Sequence, residues 1–309
     1  MSQPRISVII PIYRTESYLR ECLDSVQNQM LTDFEAMLIN DCTPDNSMQI
    51  AGEFARGDPR FRIIEHKTNQ GLGAARNTGM KNAQGEYLFF LDSDDSIPID
   101  TLYLLCAMAD TCQADMVIGN MAWLDGDYLT PVPYIDAKIQ SWLALGKENI
   151  RKLPERYHFT GSVANRLFRQ QVITDHHLEF PQGIYFEDIP FSLAVWFFCQ
   201  KVVFTPRIVY FRHRRVDPDN PSITQTYTEK AFFDRDISAQ LIYDFAKDHP
   251  EACPLAAVTL KAMLSSTKRM IGGVDDDIKE IILDSWYPDH TARVNHMIGQ
   301  INRGFRQRS

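Results

Sequence analysis

The chain has 309 residues, of which 44% are hydrophobic and 23% charged, proportions that are ordinary for a globular protein. Its formal net charge of −8 argues against a general nucleic-acid binder, so we expect no nucleic acid among its partners. The six cysteines form no Cys-x-x-Cys pair, which predicts reduced thiols and neither a zinc site nor a disulfide framework.

Strand-like apolar segments alternate with amphipathic helical segments over the first part of the chain. The predicted strands are Ile6 to Ile10 (ended by Pro11), Phe34 to Asn40, Phe61 to Glu65, Tyr87 to Leu91 and Met116 to Trp123. The predicted helices cover about 17–29, a segment capped by Asp45, Asn46 or Ser47, 72–83 and 100–111. This alternation predicts an α/β fold with a mainly parallel sheet flanked by helices.

The second part of the chain has a different pattern. Residues 124–157 are polar and interrupted by prolines, and they predict no definite element. Two short strand-like runs follow at 201–204 and 208–212, and from Tyr227 onward the pattern predicts helices only. We therefore expect an α/β domain over residues 1–226 and a C-terminal helical region over residues 227–309.

Three carboxylates, Asp92, Asp94 and Asp95, follow the predicted buried strand at Tyr87 to Leu91. Ligands of an open α/β sheet bind outside the carboxyl ends of its strands, which is where this cluster must lie. Carboxylates this close repel one another unless a cation or donors neutralise them, and oxygen ligands suit Mg²⁺ or Mn²⁺. Such an ion favours a phosphate-bearing substrate. The alternative interpretation is a solvated acidic turn that caps the next helix.

A glycine-rich turn, Gly71-Leu72-Gly73-Ala74-Ala75-Arg76, lies between a predicted strand and a predicted helix. It nearly matches the dinucleotide fingerprint, but Arg76 stands at the third glycine and the turn follows the third strand, which weakens that interpretation. What remains is a helix N-terminus with an arginine that can hold a phosphate or a base carbonyl. The alternative is a helix start with a surface arginine.

Other loops are predicted at the same edge of the sheet. Asp41 ends the second strand and can accept an N–H from a uracil edge, while Tyr13 follows the first strand and can stack on a base. Each alone is more often a cap or a core-edge residue. The pair Glu187-Asp188 precedes the apolar run 191–198 and is interpreted either as helix-capping charges or as the source of a general base.

A basic cluster, residues 212–215, stands out in this acidic chain. It is either a solvated edge or a clamp on a diphosphate, with His213 as a metal ligand.

Taken together, these landmarks resemble a family 2 glycosyltransferase of the GT-A fold, of the type with which bacteria build cell-surface polysaccharides. The passages that carry the resemblance are Ser7 to Tyr13, Ile39 to Asp41, Asn69 to Gly79, Leu91 to Asp95 and Phe186 to Asp188. Their order and spacing cover roughly the first 215 residues. Where many relatives have Asp-Gly-Ser, this chain has Asp41-Cys42-Thr43. The difference alters the turn next to the expected position of the nucleotide base. Arg166 stands where relatives often have a lysine.

The resemblance implies a role for each candidate residue. It implies a UDP-sugar donor bound by Pro11, Tyr13, Glu16, Asp41, Arg76, Asp92 and Ser93. It implies a DxD motif at Asp92-Ser93-Asp94, with Mn²⁺ or Mg²⁺ on Asp94 and His213. Asp188 resembles the catalytic base, with Glu187 beside it.

The expected reaction is therefore an inverting, metal-dependent transfer of a sugar from a UDP-sugar to a hydroxyl of a glycan or lipid-linked glycan. One alternative is a phosphohydrolase of the haloacid-dehalogenase type, although its Asp-x-Asp normally ends the first strand of the core and here it ends the fourth. Another alternative is a non-catalytic nucleotide-binding module, against which the Glu187-Asp188 pair argues.

Location and assembly are predicted from the two ends of the chain. No signal peptide is recognised, and no apolar run approaches the roughly 20 residues of a membrane span, so we expect a cytoplasmic protein. After Asp289 the chain has arginines but no acids. This basic end can dock to anionic lipid, which predicts peripheral contact with the cytoplasmic membrane face. The alternatives are a frayed terminus, or C-terminal helices that form a homo-oligomer.

Overall fold

The structure, a computed structural model, describes residues 3–125, 128–132, 161–215, 228–272, 279 and 282–306. Its strands are β1 (Ile6–Ile12), β2 (Phe34–Asn40), β3 (Phe61–Glu65), β4 (Tyr87–Phe90), β5 (Met116–Asp125), β6 (Tyr128–Pro131), β7 (Arg166–Arg169) and β8 (Val202–His213). Its α-helices are α1 (Leu19–Gln27), α2 (Ser47–Gly57), α3 (Leu72–Asn82), α4 (Thr101–Cys112), α5 (Gln170–Asp175), α6 (Asp188–Phe198), α7 (Glu229–Asp248), α8 (Cys253–Ile271) and α9 (Tyr287–Arg306).

The strands form one mixed sheet in the order β3-β2-β1-β4-β7-β5-β6, with β8 also paired to β5. Strand pairs β1–β2, β1–β4, β2–β3 and β5–β8 are parallel. Strand β7 runs antiparallel between β4 and β5, and β6 is antiparallel to β5. The predicted α/β fold with helices around a mostly parallel sheet is confirmed. The antiparallel strands β6 and β7 were not predicted, because each is only four residues long.

Two strand predictions differ from the structure. Pro11 does not end β1, which continues to Ile12. Beyond Ile9 this strand pairs with β2 only, so the missing N–H of Pro11 falls where no ladder bond to β4 is needed. The runs predicted at 201–204 and 208–212 form one strand, β8, which follows β5 through register shifts at Asn120.

Helix α3 packs closely against the centre of the sheet. A Cβ atom at Gly79 would overlap the side chain of Ile9 on β1. Close helix–strand packing is the role of the third glycine in the dinucleotide fingerprint. In this chain Gly79 performs it one turn later, so Arg76 is available for the site.

The C-terminal helices share the hydrophobic core of the sheet. Ala239, Leu260 and Val294 belong to the same cluster of buried side chains as the residues of β1 and β4. The prediction of helices after Tyr227 is confirmed for the described residues. The predicted boundary at 226/227 and most of the polar segment 124–157 lie outside the described residues, and the division into two parts stays a prediction.

Within the described ranges, no helix combines the length and apolar character needed to cross a membrane.

Candidate active site

The acidic turn after β4 packs against the carboxyl end of β8. The backbone N–H of Asp92 donates to the Tyr210 hydroxyl at 3.1 Å, and Ser96 and Phe211 exchange two backbone hydrogen bonds. The backbone N–H of His213 donates to Asp95 Oδ1 at 2.9 Å. The structure thus brings together the acidic turn and the basic cluster at 212–215, as the prediction of a common site requires.

Arg76 joins two acidic motifs that are far apart in the sequence. Its Nη2 donates to Asp92 Oδ1 at 2.8 Å and its Nη1 donates to Glu187 Oε1 at 2.7 Å. Only 4% of Arg76 is exposed, so the alternative of a surface arginine is excluded. Arg76 and Glu187 are both buried, so each charge needs a partner to offset the loss of its hydration, while Asp92 is partly exposed. The ion pairs therefore hold the acidic turn and the Glu187-Asp188 pair next to each other.

Helix α3 also fixes the segment that precedes Glu187. The Asn77 side chain exchanges two hydrogen bonds with the backbone of Phe180, both at 2.8 Å. A Cβ atom at Gly73 would overlap the carbonyl oxygen of Pro181 and would lie 3.3 Å from Glu187 Cγ. The second glycine of the turn therefore permits close packing against this segment.

Glu187 and Asp188 differ in their contacts. Burial raises the pKa of Glu187 to about 7, although the Arg76 guanidinium lowers it. Burial also raises the pKa of Asp188, and so does the charge of Asp92, while Arg76 and Arg166 lower it. Glu187 makes no side-chain capping bond to helix α6, although it stands at the N-cap. Among the described residues, no side chain donates a hydrogen bond to the Asp188 carboxylate.

The predicted metal ligands have other partners in this structure. Asp94 Oδ2 accepts from Arg215 Nε at 2.7 Å, and His213 Nε2 lies 3.0 Å from Glu21 Oε1. Among the residues that the structure describes, the buried Nδ1 of His213 has no hydrogen-bond partner. Throughout the described ranges, no three His, Cys, Asp or Glu side chains form a metal-binding group. Asp92 and Asp94 still offer oxygen donors on one turn, which suits Mg²⁺ or Mn²⁺ when substrate phosphates and water complete the coordination.

Asp41 shapes the glycine-rich turn. Its carboxylate accepts from the backbone N–H groups of Gln70 and Gly71, each at 2.8 Å, and Oδ1 lies 2.7 Å from His66 Nδ1. His66 Nε2 in turn lies 2.8 Å from the Thr78 hydroxyl. The sequence interpretation missed His66, although its position directly after β3 places it at the ligand-binding edge of the sheet.

The remaining predicted nucleotide contacts lie around this edge. Pro11 is buried in β1, and Ser93 is buried in the acidic turn. Tyr13 is 39% exposed, with the Arg14 guanidinium 5.5 Å from its ring centre, so its ring is accessible for stacking. Glu16 accepts from the backbone N–H of Asn46 at 2.7 Å, which ties it to the start of α2.

Comparison with known proteins identifies the family. The model of the family described as glycosyl transferase family 2 matches residues 7–176. The chain belongs to glycosyl transferase family 2. This family match contains the glycine-rich turn and the Asp92-Ser93-Asp94 sequence but ends before Glu187. The roles of all the candidate site residues, within the matched segment and after it, stay predictions.

Sequence relatives of this family 2 chain include glycosyltransferases of several bacteria. It is 35% identical over 236 residues to the glycosyltransferase EpsH of Bacillus subtilis, a match covering 75% of this chain and 66% of EpsH. The chain thus spans 66% of the length of EpsH, and less of several other curated relatives.

Solved structures confirm the GT-A-type fold. A crystal structure of Staphylococcus aureus TarS with UDP-GlcNAc superposes with a TM-score of 0.63 at 19% identity, covering 98% of this chain and 92% of that one. A mannosyltransferase from Pyrobaculum calidifontis, in complex with GDP-Man and Mn²⁺, superposes with a TM-score of 0.58 at 14% identity, covering 100% and 89%. The predicted fold and family are both confirmed.

The raised pKa of Glu187 predicts a pH dependence of folding stability. Because its folded-state pKa of about 7 exceeds the ordinary 4.5, the folded protein keeps a proton that the unfolded chain releases in this interval. The stabilisation is fully present below 4.5 and is lost as the pH rises through about 7. Relative to Glu187→Gln, the free energy of unfolding of the wild type should fall by about 1 kcal/mol or more between about pH 5 and about pH 8.

Urea denaturation at a series of pH values measures this difference. Glu179→Gln is a matched control, because Glu179 is exposed and pairs with Lys81 at the surface. The Glu179→Gln variant measures the effect of the same Glu-to-Gln change at an exposed position. If Glu187→Gln gave a constant difference from the wild type, Arg76 would be holding Glu187 ionised at every pH.

Proposed function

We propose that this family 2 glycosyltransferase moves a sugar from a UDP-sugar to an acceptor hydroxyl with inversion, in the synthesis of a cell-surface glycan. The observation that carries this proposal is the buried Arg76, which pairs with both Asp92 and Glu187. This pairing supports a single cleft in which the UDP-sugar binds next to the DxD motif and Asp188 acts as the catalytic base. TarS, whose fold this chain shares, binds UDP-GlcNAc and is a poly(ribitol-phosphate) β-N-acetylglucosaminyltransferase.

In the proposed reaction, Asp188 takes the proton of the acceptor hydroxyl while the hydroxyl oxygen attacks the anomeric carbon. The carbon–oxygen bond to UDP breaks on the opposite face, and the diphosphate leaves with the electron pair. Burial raises the pKa of Asp188 and makes its carboxylate a stronger base, while the charges of Arg76 and Arg166 lower that pKa. Family membership argues against the phosphohydrolase alternative.

A divalent ion, Mn²⁺ or Mg²⁺, would be held by Asp94, with Asp92 and His213 on the same side of the cleft. When bound, it offsets the negative charge that develops on the departing diphosphate. Arg215 donates to Asp94 at 2.7 Å, so a metal ion and this guanidinium compete for the same carboxylate. The Mn²⁺ complex of the mannosyltransferase of the same fold supports a metal-dependent reaction.

Asp188→Asn tests the base. The substitution removes the proton acceptor and leaves the volume unchanged, so kcat should fall by about 10²–10⁴-fold while UDP-sugar affinity stays near the wild-type value. Transfer is measured as UDP release with a panel of UDP-sugars and acceptor glycans. Asp244→Asn on the exposed face of α7 is the matched control and should keep full activity. Near-normal turnover of Asp188→Asn would remove this residue from the role, and an inactive wild type that still binds UDP would support a non-catalytic module.

Asp94→Ala tests the metal. Calorimetry with and without Mn²⁺ should show that UDP binds the wild type more tightly in the presence of the ion, because the diphosphate and Asp94 share it. In the variant, Mn²⁺ should no longer strengthen binding. Asp100→Ala, at the N-cap of α4, where the Asp100 carboxylate pairs with Arg207 at 2.7 Å, should retain the metal effect. If the affinity of the wild type for UDP were the same with and without Mn²⁺, the proposed metal dependence would be contradicted.

We also infer that the C-terminal helices contact a second copy of the chain in preference to anionic lipid. Of the arginines predicted to bind lipid, Arg293 pairs with Asp236 at 2.6 Å. Helix α7 instead exposes an apolar stripe, Phe233, Ile237 and Leu241, at four-residue spacing. The predicted cytoplasmic location and contact with the membrane face stay predictions.

Light scattering after size exclusion should give a mass larger than one chain for the wild type, and a monomer for Ile237→Asp. Gln240→Asp, which places the same charge on α7 outside the stripe, should leave the mass unchanged. A wild-type monomer that floats with anionic vesicles would contradict the inference and favour the lipid alternative.

A further inference from the structure

Helix α7 holds the turn that leads into Asp188. The backbone N–H of Tyr185 donates to Asp234 Oδ2 at 2.8 Å. Lys230 Nζ donates to the carbonyl of Gly183 at 2.8 Å, pairs with Asp234 and lies 4.9 Å from the centre of the Tyr185 ring. The turn is therefore bound to α7 through backbone and side-chain contacts together.

Phe186, two residues before Asp188, is the strained residue of this turn. Its φ of 62° lies in the left-handed region, which costs a bulky residue on the order of 1–3 kcal/mol. Ser238 Oγ donates to the Phe186 carbonyl at 3.3 Å, and the guanidinium carbon of Arg235 lies 4.3 Å from the ring centre. Such a conformation persists only where the surroundings hold it, and here the holding contacts come from α7.

Arg235 is fixed on its other side by helix α8. It is 4% exposed, and its Nη1 donates to Ser266 Oγ at 2.9 Å, to Thr267 Oγ1 at 3.1 Å and to the Met263 carbonyl at 3.3 Å. Burial lowers the pKa of Arg235 to about 10, and the negative charge of Asp188 raises it. The guanidinium therefore packs on the turn and also acts electrostatically on the candidate base.

We propose that Asp234, Arg235 and Ser238 are positioning residues for the transfer reaction, and that α7 holds the turn at 183–187 so that Asp188 faces the acceptor hydroxyl. This inference rests on the proposed role of Asp188. The donor side of the cleft is built by other elements, namely the Asp41 turn and the DxD motif. Loss of the α7 contacts should therefore lower the rate of transfer and leave donor binding intact.

Steady-state kinetics of the 309-residue chain test the proposal. Asp234→Ala and Arg235→Met should each lower kcat by about 10–100-fold, because a small misplacement of the base weakens proton transfer, while the donor KM stays within about 2-fold. Asp234→Asn keeps an acceptor for the Tyr185 N–H and should recover most of kcat. Asp244→Asn, on the same helix but away from the turn, should behave as wild type. Circular dichroism and melting temperature establish that each variant is folded.

Ser238→Ala keeps the proposal testable if Arg235→Met does not fold, because it removes only the bond to the Phe186 carbonyl. It should lower kcat several-fold with the donor KM unchanged. A folded Asp234→Ala or Ser238→Ala with wild-type kcat would overturn the proposal. A parallel loss of kcat and of donor affinity would also overturn it, since that result indicates a general structural role.

Hydrogen exchange gives a readout that does not depend on activity. In Asp234→Ala the amides of the turn at 183–187 should exchange faster than in the wild type, because the Tyr185 N–H loses its acceptor. Unchanged exchange would refute the positioning role even if the enzyme proves active. Faster exchange in a protein that transfers no sugar would instead count against the proposed function and leave α7 as the support of this turn.

Discussion

The structure depends on one buried interaction, the pairing of Arg76 with both Asp92 and Glu187. Removing a member of a buried ion network typically costs about 3–5 kcal/mol, because the remaining charges lose their partner without regaining water. Two glycines make the arrangement sterically feasible. Gly79 lets α3 approach β1, and Gly73 lets its first turn approach the segment before Glu187. The guanidinium is thereby placed at the carboxyl edge of the sheet, where both acidic motifs meet it.

The segment with the candidate base is held from two directions. On one side Asn77 of α3 bonds the backbone of Phe180, and on the other side Asp234 of α7 bonds the backbone of Tyr185. Electrostatic interactions also reach Asp188 from two directions. Burial raises the pKa of Asp188, and the buried guanidinium of Arg76 lowers it. Arg235 of α7, which is also buried, interacts electrostatically with the same carboxylate. The C-terminal helices are therefore part of the architecture around the cleft.

Most of the fold could be predicted from local pattern. Strands β2 and β3 were predicted with their observed bounds, because continuous or alternating apolar residues end at polar ones. Strand β7 was missed, since four residues carry too little periodicity and its pairing partners β4 and β5 are distant in the chain. The role of Asp41 as acceptor for the glycine-rich turn was also missed. It depends on a loop 29 residues later that folds back over the end of β2.

By itself, the sequence determined the family, the succession of the five predicted strands along the chain and the residue types at the carboxyl edge of the sheet. It could do so because local periodicity and motifs a few residues long indicate these features. Only the tertiary structure decided which charges become partners: Arg76 with a glutamate 111 residues away, Asp94 with Arg215, and α7 with the turn before Asp188. Pairings of this kind depend on how helices and loops pack, and a one-dimensional pattern carries no record of that packing.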